Sequence, residues 1–134
     1  MFDIKIALYG ISLLSAIAIP DIFKNLPEIF ILLLILMLFD IITGFLQAVK
    51  HKKISTKKMY SGGIKKITIL IIITISFFID KYLITNNEQY IFNSSIIYYS
   101  MLELISITKN AQKLGIKIPK AITQLIEYNM KGEE

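Results

Sequence analysis

LFDIITGFLQAVKHKK, residues 38–53, places a carboxylate, Asp40, inside a run that otherwise reads as a membrane-spanning helix. The run extends from Ile29 to Val49 and is apolar apart from Asp40, Thr43 and Gln47, with Pro27-Glu28 before it and Lys50 after it. At a rise of ~1.5 Å per residue it is long enough to cross hydrocarbon ~30 Å thick. Asp40 sits about ten residues from either end. Near the midplane a charge costs ~2.5–3.5 kcal/mol on insertion scales, so it should be neutral, paired or facing water. Helical spacing puts Asp40, Thr43, Gly44, Gln47 and His51 on one face, with Leu38, Ile42, Phe45, Leu46 and Val49 on others. Gly44 and Ala48 form a small-xxx-small pair that allows close approach of a neighbouring helix.

Composition agrees with a membrane solvent. The chain is 54% hydrophobic with a mean hydropathy of +0.62, above what a soluble core needs. Without cysteine there is no disulfide framework, thiolate metal site or cysteine nucleophile. The net charge of +5 comes from lysine with no arginine. Lys50, Lys52, Lys53, Lys57, Lys58, Lys65 and Lys66 fall between two apolar runs, where a topology signal explains them more simply than phosphate recognition. The stretch has no interleaved aromatics beyond Tyr60 and no nucleic-acid-binding fold signature, so no nucleic-acid partner is expected.

Two further apolar segments follow, 67–84 and 90–108. The first carries Asp80-Lys81 near its far end, where both heads can snorkel. The second holds Asn93, Ser94, Ser95, Ser100, Glu103 and Ser106 and spans only if partner helices shelter them. Its stripe of Tyr99, Glu103, Ser106 and Asn110 repeats the pattern of the Asp40 segment, with Glu103 placed closer to the cytoplasmic end. An N-terminal apolar helix over 4–23 either spans or lies at the interface; Ala16-Ile17-Ala18 resembles a signal-peptidase site, but Asp3 offsets Lys5 and Pro20 stands two residues past the cut. By the positive-inside rule the lysine loop 50–66 is cytoplasmic, with Gly62-Gly63 as a turn within it, and the lysine-rich C-terminus is cytoplasmic too. Gly115 ends a helix, and a short amphipathic helix over 118–131 follows, with Ile122, Leu125, Ile126 and Met130 at helical spacing.

The fold class expected is therefore an all-α integral membrane protein, a single membrane domain over 1–134 with three to four transmembrane helices and a short cytoplasmic C-terminal helix. No enzyme constellation, cofactor motif or metal cluster is expected: the sole histidine is surrounded by lysines, and Asp40, Asp80 and Glu103 belong to different helices at different depths. Asp40 is open to three readings: packing glue between helices, a lumen-facing group in an assembly of chains, or a proton-coupled transport site.

The run D-x-x-T-G-x-x-x-A-x-K from Asp40 to Lys50, with K-K-I-S-T-K-K and G-G-I-K-K behind it, resembles the toxin-secretion and phage-lysis holins of Gram-positive bacteria and their phages. The block E-L-I-S-I-T-K-N-A-Q-K-L-G-I-K-I-P-K from Glu103 to Lys120 is similar to that family's C-terminal signature. The chain departs from the pattern at Thr56 and Tyr60, both in the basic stretch. The resemblance implies a homo-oligomer in the bacterial cytoplasmic membrane, in contact with lipid, that forms lesions releasing an endolysin or a large toxin lacking a signal peptide. Joined to the residue pattern, it suggests that chains associate through the Gly44/Ala48 face and that the stripes of Asp40, Thr43, Gln47 and of Glu103, Ser106, Asn110 come to line water. The alternative is a small four-helix proton-coupled exporter.

Overall fold

The computed structural model describes residues 3–13, 26–84 and 88–132, the side chains of 129 and 130 excepted. The elements among these residues are all helices: α1 (Ile4–Leu13), α2 (Glu28–Lys50), α3 (Thr56–Leu83), α4 (Tyr90–Lys113) and α5 (Lys120–Gly132). Residues 14–23 of the expected 4–23 helix, and the side chain of Met130, lie outside the described residues.

Helix α2 forms where its sequence leaves no alternative in lipid, since a backbone without water must satisfy its own polar groups. Pro27 sets the entry, its carbonyl accepting from the amides of Phe30 and Ile31. Glu28 in the first turn and Lys50 in the last complement the helix dipole. Helix α3 starts where Ser55 accepts from the Lys58 amide as its N-cap. This corrects the expectation of a loop from 50 to 66: the connection is 51–55, and Gly62-Gly63 is helical rather than a turn. A glycine pair costs about 2 kcal/mol in helix propensity. A cap on one side and a long apolar helix on the other outweigh that, because propagation is much easier than nucleation.

Helices α2 and α3 are each long and apolar enough to cross a membrane. Helix α4 is more polar and packs against both, while α2 and α3 scarcely touch one another. Leu33 and Met37 of α2, Ile69 and Ile73 of α3, and Phe92 and Ile96 of α4 make the apolar core. Phe92 is its keystone: its ring stacks on Phe30 at 6.4 Å and meets Phe77 edge-on at 5.7 Å. Leu32, Phe39, Phe45, Ile71 and Ile75 point outward, 46–55% exposed. Such an apolar exterior would be an aggregation surface in water but meets its own kind in lipid.

Asp80 does not snorkel outward as expected from the sequence; it is 3% exposed. Its carboxylate accepts from the amides of Ile91 at 3.2 Å and Phe92 at 2.7 Å, so an α3 side chain caps the start of α4. The first free amides of a helix need an acceptor, and a carboxylate there also meets the positive end of the dipole. One turn toward the cleft, the Ser76 and Ser95 hydroxyls lie 3.1 Å apart across the same interface.

At its other end α4 closes with Gly115 at φ +89°, the left-handed conformation glycine adopts freely, and with the Ile116 amide bonded back to Ala111 O. Helix α5 then packs on α4 with Ile126 buried.

Candidate functional site: an ion triad beneath a basic cleft

The buried face of α2 changes character along its length. Leu33 and Met37 are enclosed by the apolar core, and on the same face toward the C-terminal end Asp40, Thr43, Gly44, Gln47 and Ala48 are half-buried. The stripe of α4 meets it there. Asn110 Nδ2 donates to Asp40 Oδ1 at 3.2 Å and lies 3.2 Å from Thr43 Oγ1, while the Thr43 hydroxyl donates to Phe39 O at 2.8 Å. The two stripes read separately from the sequence are thus opposed within one chain.

The centre of the site is Lys66. Its Nζ donates to Asp40 Oδ2 at 2.8 Å and to Glu103 Oε2 at 2.6 Å, joining α2, α3 and α4 at one point. The three side chains are only 8–16% exposed. Asp40 and Glu103 were expected at different depths and Lys66 in the cytoplasmic basic loop; the structure corrects both. The reason is geometric. Helix α3 begins ten residues before Lys66, so Lys66 lies about 15 Å along α3 from the 51–55 connection, the distance at which Asp40 precedes it on α2 and Glu103 precedes the end of α4. A partially buried carboxylate in low dielectric requires a partner, and a lysine at equal depth is the one available. Two carboxylates share one ammonium, so the fully ionised triad carries one excess negative charge.

Between the triad and the 51–55 connection, α2, α3 and α4 line a cleft of ≈ 760 Å³. Gln47, Ala48 and Ser106 line it, together with Gly62 and Gly63 of α3. At its mouth Lys50 Nζ donates to Leu114 O and His51 Nε2 to Lys113 O, both at 2.9 Å. A carbonyl only accepts, so Nε2 carries the imidazole proton here. These bonds tie the α2–α3 connection to the unsatisfied carbonyls ending α4. Lys52, Lys57 and Lys65 are exposed outside the cleft. Among the described residues there is no cluster of three or more His, Cys, Asp or Glu suited to a metal.

Gly44 faces Asn110: a Cβ there would stand 3.6 Å from Asn110 Nδ2. Within the chain, the neighbour that Gly44 admits is therefore α4. Because 3.6 Å is ordinary contact, Gly44→Ala is expected to leave unfolding in mixed micelles unchanged or to stabilise it by up to about 1 kcal/mol through helix propensity. Gly44→Leu, which drives a branched side chain into α4, is expected to lower stability by about 1–3 kcal/mol.

Sequence reasoning missed Lys66 as the hub, Asp80 as a cap, and the two bonds of Lys50 and His51. A signal existed for Lys66: it is the last charge before the 67–84 apolar run, and an intramembrane carboxylate calls for a cation at matching depth. Nothing in the sequence points to the Asp80–α4 bonds, which depend on how the 84–90 connection returns.

The model of the bacteriophage holin family matches residues 17–129. A probable holin of Bacillus phage phi105 is 30% identical over 69% of this chain and 67% of its own length. An uncharacterized protein of Halalkalibacterium halodurans is 32% identical over 77% of this chain and 78% of its own. Another, of Listeria monocytogenes, is 35% identical over 74% and 71%. No solved structure matches.

Proposed function

The chain belongs to the bacteriophage holin family, and from that premise we propose that it accumulates in the bacterial cytoplasmic membrane, associates with further copies of itself, and opens lesions that release an endolysin or a large toxin without a signal peptide. In this reading α2, α3 and α4 each cross the membrane within a single membrane domain, and the 51–55 connection and α5 are cytoplasmic. The family is not a catalytic one.

The observation that carries the reading is the Asp40–Lys66–Glu103 triad, a polar layer held shut behind an apolar exterior. In lipid, separating such a group leaves charges uncompensated and is strongly unfavourable; in water an ion pair is worth only ~0–1 kcal/mol. A single bundle therefore stays closed. Where chains gather and water enters between them, the same three side chains separate at little cost and the stripes of Thr43, Gln47, Ser106 and Asn110 become wettable walls. Each opened chain hydrates its neighbours, so opening is abrupt once begun. The excess negative charge gives the membrane potential a handle: a charge crossing the full field gains or loses ~2.3 kcal/mol per 100 mV.

The test is timed expression beside an endolysin, with an uncoupler added at intervals. The native chain is expected to lyse cells abruptly and earlier after uncoupling, and to release large dyes from vesicles without a proton gradient. Asp40→Asn is expected to shift lysis time. Unchanged timing together with an unchanged uncoupler response removes Asp40 from the trigger, and dye release only under a proton gradient indicates an exporter.

A further inference from the structure

We propose that the cleft between α2 and α3 is a binding site for the headgroup of an anionic phospholipid of the inner leaflet. The inference rests on the cytoplasmic orientation of the 51–55 connection proposed above. Its volume, ≈ 760 Å³, lies within the range of small-molecule sites, ~300–1,000 Å³. Lys53 and Lys58 come to it from the α2–α3 side, Lys109 and Lys113 from α4. Among the described residues the ion pairs are the two of Lys66, so none of these four lysines is neutralised by a carboxylate. Asp40 is the one acidic residue lining the cleft, and it lies at the closed end, already held by Lys66. The cleft therefore gathers four unpaired lysines, and its one lining carboxylate, Asp40, is paired with Lys66 at the closed end.

Three features favour a lipid over a free anion. The cleft is open, and it lies where α2 and α3 each rest on α4 with few backbone contacts to each other. Its rims are apolar: Ile41, Phe45 and Met59 line it and are 46–51% exposed, giving an acyl chain a path out into the bilayer. Gly62 and Gly63 keep the α3 wall bare, since a Cβ at either would meet nothing within 4 Å. Basic pockets between transmembrane helices on the cytoplasmic side recognise anionic headgroups by this combination of charge and lateral access. A lipid seated there wedges α2 and α3 apart above the triad, which links membrane composition to the closed bundle.

The experiment uses the full chain purified in mild detergent, with native mass spectrometry of bound lipid after addition of phosphatidylglycerol, cardiolipin, phosphatidylcholine or inorganic phosphate. The expected result is preferential retention of the anionic lipids over phosphatidylcholine, not displaced by inorganic phosphate. The double variant K58Q/K109Q should bind them about thirtyfold more weakly, and K57Q/K65Q, which removes the same charge outside the cleft, should bind as the native chain does. Equal retention of anionic and zwitterionic lipid, equal loss in both double variants, or displacement by phosphate overturns the proposal. Lysis timing of the same variants beside an endolysin separates the two readings: abrupt lysis with no lipid preference removes the lipid site and leaves the lesion-forming function standing.

Discussion

Lys66→Met is expected to destabilise the folded bundle by about 3–5 kcal/mol, because it strands Asp40 and Glu103 as two unpaired carboxylates in a partly buried site. Methionine fills nearly the same volume, so the loss reports charge rather than a cavity. The decisive comparison is the triple variant Lys66→Met with Asp40→Asn and Glu103→Gln. Removing all three charges together removes the desolvation cost as well, and neutral replacements of a buried ion cluster are often as stable as the cluster or more so. Unfolding of the three chains in mixed micelles, at fixed lipid composition, should therefore show a deep loss for the single variant and recovery for the triple one. In cells the single variant should accumulate poorly or open early, whereas the triple variant, stable but lacking the charged latch, should lose the response to uncoupler. If the single variant is as stable as the native chain, the triad does not hold the three helices together.

The second large effect is expected at Asp80. Asp80→Ala leaves the amides of Ile91 and Phe92 without their acceptor in a buried position, at about 1–3 kcal/mol for an unsatisfied buried group. Phe92 carries the contacts to Phe30 and Phe77, so the start of α4 should loosen along with the aromatic core. Hydrogen exchange at 91 and 92 should quicken sharply in Asp80→Ala. Asp80→Asn, which keeps one acceptor oxygen but loses the charge facing the helix dipole, should fall between the two. Unchanged exchange in Asp80→Ala would place the capping of α4 elsewhere. This change lies far from the triad, and its effect should add to that of Lys66→Met without coupling.

How far the site can be read from the chain differs from residue to residue. The face shared by Asp40, Thr43, Gly44 and Gln47 is legible, since a helix with a 3.6-residue repeat places those positions together whatever surrounds it. So is the α4 face of Tyr99, Glu103, Ser106 and Asn110. Lys66 was misplaced because lysines at a membrane boundary are usually topology markers, and seven of them stand in this stretch; which one turns inward depends on the register of α3 against α2. Gly62-Gly63 misled for a related reason. Local turn chemistry suggested a break, but the helix begins at Thr56 and runs through it.

Sequence alone determined the solvent and the helical state of the apolar segments of this protein. Its apolar runs suit hydrocarbon, and hydrocarbon forces the backbone to satisfy itself, so these segments become helices. The spacing of polar residues determined which faces turn away from lipid. Tertiary structure decided the pairing: that Asp40 and Glu103 share Lys66, that Asp80 caps α4, and that α2 and α3 part to leave a basic cleft. Those facts depend on relative depth and rotation of helices distant in sequence. Periodicity fixes a residue's place on its own helix; only packing fixes which residue of another helix it meets.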